Sequence, residues 1–167
     1  MKKLLLVTSD GVLADTVRDK IDCEIVVSDK VDSGNYDLIA LTDEVSISDD
    51  EFIQNNNIIR LHNSLLPSFN TSESVKDAYV SGVKVTGVTV HRVENADMTG
   101  LILAQYPVLI DSYTSYGQLE TEIKQTGYKL YPLVIKSVLN DTVFDLVEFL
   151  SATPKHKCHG CGKCSGK

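Results

Sequence analysis

Long apolar runs are missing from this sequence of 167 residues. The stretch that opens the chain, Leu4–Val7, is far shorter than the roughly 20 apolar residues a bilayer-crossing helix needs. Met1-Lys2-Lys3 leads straight into it, without the apolar core and small-residue cleavage site of a secretory signal. A soluble, cytoplasmic protein with no membrane partner is expected. Cysteine is sparse where it would matter for stability: Cys23 stands alone, and Cys158, Cys161 and Cys164 crowd the chain's end, a distribution that cannot staple a core of this size. Basic charge is in deficit too. With 16 Lys+Arg against 23 Asp+Glu, the formal net charge of -7 repels a phosphate backbone, so nucleic acid is not an expected partner. Neither proline (4) nor glycine (10) reaches collagen-like or low-complexity levels. The 43% hydrophobic and 23% charged residues that remain are the make-up of one compact domain.

The patterning is that of an α/β chain. Lys3–Thr8 is a short continuous apolar run ended by Ser9-Asp10-Gly11, the signature of a strand buried on both faces that then turns sharply. Val12, Val17 and Ile21 follow at helical spacing. Cys23–Val27 and Tyr36–Leu41 read as two further strands, with a polar turn-rich segment between them. Ser48-Asp49-Asp50-Glu51 supplies a cap and acids for a brief helix, and Asn55-Asn56-Asn57 ends it before the strand Ile58–Leu61. This part predicts a parallel sheet with short crossovers. His62–Thr71 has no periodicity and is expected to leave the sheet at a strand end, where open α/β sheets bind ligands. A helix over Ser72–Val80, strands over Val85–Val93 and Leu101–Val108, and a long amphipathic helix within Tyr113–Leu139 complete the pattern. Tyr131-Pro132 predicts a kink or restart in that helix, and Val143–Val147 an edge strand. Residues 1–150 are read as one domain and 151–167 as a Cys/His-rich tail.

Two segments carry a more specific signal. Ile58-Ile59-Arg60-Leu61-His62-Asn63-Ser64-Leu65-Leu66-Pro67-Ser68-Phe69 is followed by Gly82-Val83-Lys84-Val85-Thr86-Gly87-Val88-Thr89-Val90-His91-Arg92-Val93. Together with Gly100–Gln105 and Leu130-Tyr131-Pro132-Leu133-Val134-Ile135, they closely resemble the phosphoribosylglycinamide formyltransferase family over Ile58–Leu139. The resemblance implies a Rossmann-like, three-layer formyltransferase fold with a central, mostly parallel sheet. It also implies transfer of a formyl group from 10-formyltetrahydrofolate, as co-substrate, to a primary amine such as glycinamide ribonucleotide, in a monomer or homodimer. Such a reaction passes through an oxyanion that needs aimed donors, while the attacking amine must shed a proton to a nearby group.

By the resemblance, His62 stands at the family's histidine position as general acid and oxyanion donor, with an imidazole that can carry a proton near neutral pH. Arg60 occupies the place of the family's asparagine. The family's aspartate position holds Met98, so Asp97, one place earlier, is expected as a displaced proton relay. Leu65, Leu66, Pro67, Val88, His91 and Met98 are expected along the folate slot, with Leu103 beside them. Ser9 and Gly11 stand in the turn where the family binds the substrate phosphate, at a helix N-terminus that favours anions. The altered asparagine and aspartate positions also suit a second class of protein, a catalytically degenerate relative kept as a folate-binding or metal-linked scaffold or sensor. The tail is a separate feature: Cys158, Cys161 and Cys164 at C-x2-C-x2-C spacing, with His156 and His159 nearby, offer soft ligands for zinc or an iron-sulfur cluster.

Overall fold

The computed structural model describes residues 1–144 together with Val147 and Leu150. Ten elements follow one another: β1 (Lys3–Val7), α1 (Gly11–Lys20), β2 (Glu24–Ser28), β3 (Leu38–Leu41), α2 (Asp50–Asn55), β4 (Ile58–His62), α3 (Ser74–Val80), β5 (Val85–Arg92), β6 (Ile102–Leu109) and α4 (Tyr116–Leu139). The strands form one sheet in the order β2-β1-β3-β4-β5-β6. Pairing is parallel from β2 through β4 and antiparallel for β4–β5 and β5–β6, the mostly parallel sheet expected.

The continuous apolar runs are explained by burial on both faces. Leu4, Leu5, Leu6 and Val7, and all of β3, are inaccessible to solvent. Alternation along the strands divides them between two cores. Leu4, Leu6, Leu38, Ala40, Ile59 and Leu61 pack against α1 and α4, whereas Leu5, Val7, Ile39, Leu41 and Ile58 pack against Ile53 of α2. The antiparallel end of the sheet depends on Gly87: a Cβ there would lie 2.1 Å from the Tyr106 carbonyl oxygen and 2.8 Å from Leu65 Cδ2.

Local chemistry fixes the helix starts. Asp49 caps α2 by accepting from the Phe52 amide, and Ser115 with Gln118 forms a capping box at α4. Helix α4 does not restart at Pro132 but runs through it, its buried stripe, including Leu130, Tyr131, Val134 and Ile135, continuing against the sheet on both sides of the proline. The expected edge strand over Val143–Val147 is also corrected. Val143 and Phe144 are irregular and Val147 is helical, and among the described residues the sheet ends at β2 and β6. Among the described residues no helix is long and apolar enough to cross a membrane.

Candidate active site

Strand β4 ends the parallel run, and its last residue is His62. Arg60 and His62 lie two apart, so they share the face of Ile58, the α2 side. On β5, Arg60 pairs with His91 and His62 with Thr89, which brings four polar side chains together at the carboxyl edge of β4. The fifth arrives from β3. Its pairing with β4 stops at Leu41, and two residues later Asp43 turns its carboxylate onto β4.

That carboxylate organises the cluster. Asp43 Oδ1 lies 2.6 Å from His62 Nδ1 and 3.1 Å from Arg60 Nη2, while Oδ2 accepts from the Asn63 amide at 3.2 Å. Arg60 Nη2 also donates to the Asp43 carbonyl at 2.8 Å. His62, only 1% exposed, has its Nε2 3.2 Å from the Phe69 carbonyl oxygen. Both ring partners are acceptors, so the imidazole satisfies both only with a proton on each nitrogen. Arg60 Nε, by contrast, is buried without a hydrogen-bond partner. An orphaned donor beside a proton-bearing imidazole is the kind of group a ligand oxygen completes.

The segment that covers His62 is pinned rather than loose. The Thr89 hydroxyl donates to the Ser64 carbonyl at 2.7 Å and accepts from the Leu66 amide at 3.0 Å. Gln105 Nε2 donates to the Leu66 carbonyl at 2.9 Å, and Ser64 Oγ donates to the Ser68 carbonyl at 2.6 Å. Leu66-Pro67 is a cis peptide and Phe69 takes a positive φ of 53°.

The other expected site residues are divided. His91 belongs to the cluster: it is buried, and its Nδ1 donates to the Arg92 carbonyl at 2.8 Å. Burial pushes its pKa below the usual 6.5; the Arg92 carbonyl opposes the shift, and the charges of Arg60 and His62 add to it. The unfolded chain therefore takes up this proton at a higher pH than the native protein, so stability present above about 6.5 falls as pH drops below it. His91→Asn keeps a donor for the Arg92 carbonyl and is expected to flatten part of that acid slope in thermal unfolding. An unchanged slope would assign it to other groups.

Leu65 and Leu66 are half-buried and Pro67 exposed beside this cluster. Val88 is elsewhere. It is fully buried in the core against α4, on the opposite sheet face from His91, because one residue's shift in a strand reverses the side; Leu103 packs against that same core. Met98 is core as well, packed with Leu5, Leu41 and Ile58, with Sδ 3.4 Å from the Ile47 amide. Asp97 is exposed on the turn. Arg60 is turned onto Asp43 rather than held ready as an oxyanion donor through its Nη2.

The turn after β1 also departs from expectation. Asp10 caps α1, its Oδ1 accepting from the amides of Val12 at 2.9 Å and Leu13 at 3.1 Å. Its Oδ2 accepts from the Tyr128 hydroxyl at 2.5 Å. Ser9 Oγ donates to Glu44 at 2.5 Å. The amides that follow Gly11 thus already hold a carboxylate where a substrate phosphate was expected. Burial works to raise the Asp10 pKa, but Tyr128 and the two amides outweigh it and hold it below the usual value. Tyr128, desolvated and facing that charge, is pushed up to about 12. Cys158, His159, Cys161 and Cys164 lie outside the described residues; among those described, no group of three His, Cys, Asp or Glu could hold a metal ion.

The cluster sits at the carboxyl edge of an open α/β sheet, where proteins of this class bind their ligands. Comparison with known proteins makes this specific. The family described as "Formyl transferase" matches residues 13–135, and the chain belongs to that family. It is 39% identical over 105 residues to phosphoribosylglycinamide formyltransferase of Bacillus subtilis (strain 168), covering 62% of this chain and 54% of that one. It is 29% identical over 94 residues to formyltetrahydrofolate deformylase of Haemophilus influenzae, covering 55% and 34%. The chain thus spans about half the length, or less, of these curated relatives. Its fold is shared with glycinamide ribonucleotide transformylase 1 from Symbiobacterium toebii (TM-score 0.71, 21% identity, 84% of this chain and 89% of that one). A sugar N-formyltransferase from Shewanella sp. FDAARGOS_354 shares it too (TM-score 0.72, 17% identity, 84% and 71%).

Proposed function

We propose that the protein transfers a formyl group from 10-formyltetrahydrofolate to the amine of a small molecule. The observation that carries this reading is the aim of His62. Its Nε2 meets a carbonyl oxygen, that of Phe69, at 3.2 Å, at the carboxyl end of β4 in a formyl transferase fold. A formyl oxygen is an acceptor of the same kind, and one that gains negative charge as the amine attacks.

The folate supplies the activated formyl carbon. His62 is placed to donate from Nε2 to the oxygen on that carbon where this oxygen replaces the Phe69 carbonyl; as the adduct collapses, the bond from the carbon to the folate nitrogen breaks and the proton lost by the amine ends on that nitrogen. Arg60 Nε, buried and unpartnered, is a second donor in the same cluster. Leu65 and Leu66, half-buried on the covering segment, offer apolar surface for the pterin. The acceptor is identified only as a primary amine: phosphoribosylglycinamide is the substrate named by the relatives, while here Asp10 fills the first-turn amides of α1.

One further observation favours a second reading, a folate-binding relative without turnover: Met98 is buried in a core where the resemblance places an acid. Formyl transfer from 10-formyltetrahydrofolate to a panel of phosphorylated and unphosphorylated amines, run beside thermal unfolding with saturating folate, separates the two. Turnover together with a raised Tm is the expected result, since a ligand that binds only the native state must stabilise it. A raised Tm without turnover selects the non-catalytic relative, and no shift at all defeats both.

A further inference from the structure

Resting on the formyl-transfer reading, we infer that Asp43 is the positioning residue for His62 and that Arg60 serves to hold Asp43. Among the described residues Asp43 is the only carboxylate hydrogen-bonded to His62, and it is not loosely placed. Its side chain is 11% exposed, Oδ1 is shared between His62 Nδ1 and Arg60 Nη2, and Oδ2 is fixed by the Asn63 amide. The guanidinium that meets the carboxylate also grips the backbone carbonyl of the same residue. Both oxygens and the main chain of Asp43 are therefore restrained by two consecutive turns of contact with β4 and its exit.

The chemistry gives that restraint a purpose. A carboxylate on Nδ1 fixes the ring's rotation, keeps the proton on Nδ1 and leaves Nε2 as the donor facing the Phe69 carbonyl. It also sits between the Arg60 guanidinium and the His62 ring, two residues apart on one strand. Arginine at position 60 and aspartate at position 43 thus form one connected unit: without Arg60 the Asp43 carbonyl and Oδ1 each lose a donor. A purely structural ion pair would need neither the 2.6 Å bond to the imidazole nor the open valence at Arg60 Nε.

Asp43→Asn preserves an oxygen for the Asn63 amide and the shape of the side chain while removing the charge. In the full chain it is expected to lower kcat about 10- to 100-fold, to leave KM for the folate within about twofold, and to shift the acid limb of the pH–rate profile. Arg60→Gln removes both the hold on this carboxylate and the Nε donor, so it is also expected to lower kcat, and the imidazole resonance reads the Asp43 contact separately from either loss. Proton NMR of the imidazole provides a readout independent of turnover: a far-downfield Nδ1–H signal of His62, present in the wild-type protein, is expected to vanish in Asp43→Asn. Unaltered kinetics in both folded variants would overturn the inference. If the wild-type protein forms no formyl product, the parent reading falls, and the inference is decided on the resonance: its persistence in Asp43→Asn overturns the positioning bond, and its loss upholds it.

Discussion

Tyr131→Ala is expected to destabilise the protein by about 3–5 kcal/mol, the usual cost of truncating a large buried aromatic. Against a typical total of roughly 5–15 kcal/mol, that is enough to leave a large part of the chain unfolded at moderate temperature. The ring is wholly buried, and its hydroxyl donates to the Leu41 carbonyl at 2.7 Å, with the Ile59 carbonyl 3.3 Å away. It stands where β3 and β4 cease to pair, so it replaces hydrogen bonds that the ladder no longer provides. Burial holds the phenol protonated well above its ordinary range, keeping it a donor at any working pH. Tyr131→Phe isolates the hydroxyl and is expected to cost about 1–3 kcal/mol, the penalty for a buried carbonyl left unpaired. Urea unfolding of the two variants beside wild type measures both terms. A loss under 1 kcal/mol for the alanine variant would mean that α4 does not lock the β3–β4 junction. Leu41 precedes Asp43 by two residues, so the phenylalanine variant should also loosen the cluster around His62.

His62→Gln is expected to reduce formyl transfer by about 10²–10⁴-fold, the range for loss of a positioned acid–base group, with folate binding largely retained. Glutamine is the informative replacement because it keeps a donor near Asp43. Alanine would leave that carboxylate facing Arg60 and a backbone amide alone, and would strip the Phe69 carbonyl of its partner, costing about 1–3 kcal/mol for each buried group left unsatisfied. Comparing kcat with folate-induced Tm shifts in the glutamine variant separates chemistry from binding. Turnover within threefold of wild type would remove His62 from the reaction and favour a reading in which the imidazole only ties β4 to its exit loop.

Much of the frame was legible along the chain because it rests on local rules. The continuous apolar run of β1 marked a strand buried on both faces, Ser48-Asp49-Asp50-Glu51 marked the start of α2, and the aperiodic stretch after β4 marked the exit loop. The resemblance put His62 forward as the acid and His91 along the folate slot; the structure has them on paired strands. Pro132 does not end α4 because packing on both sides of it outweighs the local penalty. Val88, expected in the folate slot by the resemblance, is core instead, since its place along β5 turns it to the α4 face.

Asp43 carried no signal beyond being an acid just past a buried strand, the carboxyl edge where such sheets place their ligands. Its partners are 17 and 19 residues away, and no spacing rule links them.

The sequence by itself determined the six strands of the sheet, the helices between them and the family, since each follows from periodicity, capping chemistry or a contiguous motif. Only the tertiary structure decided which charges meet: that Asp43 lies between Arg60 and His62, that Asp10 fills the helix terminus where a phosphate was expected, and that Met98 is core. The physical reason is that Coulomb and hydrogen-bond energies depend on distances of a few ångströms, and those are set by how strands from separate parts of the chain align in the sheet.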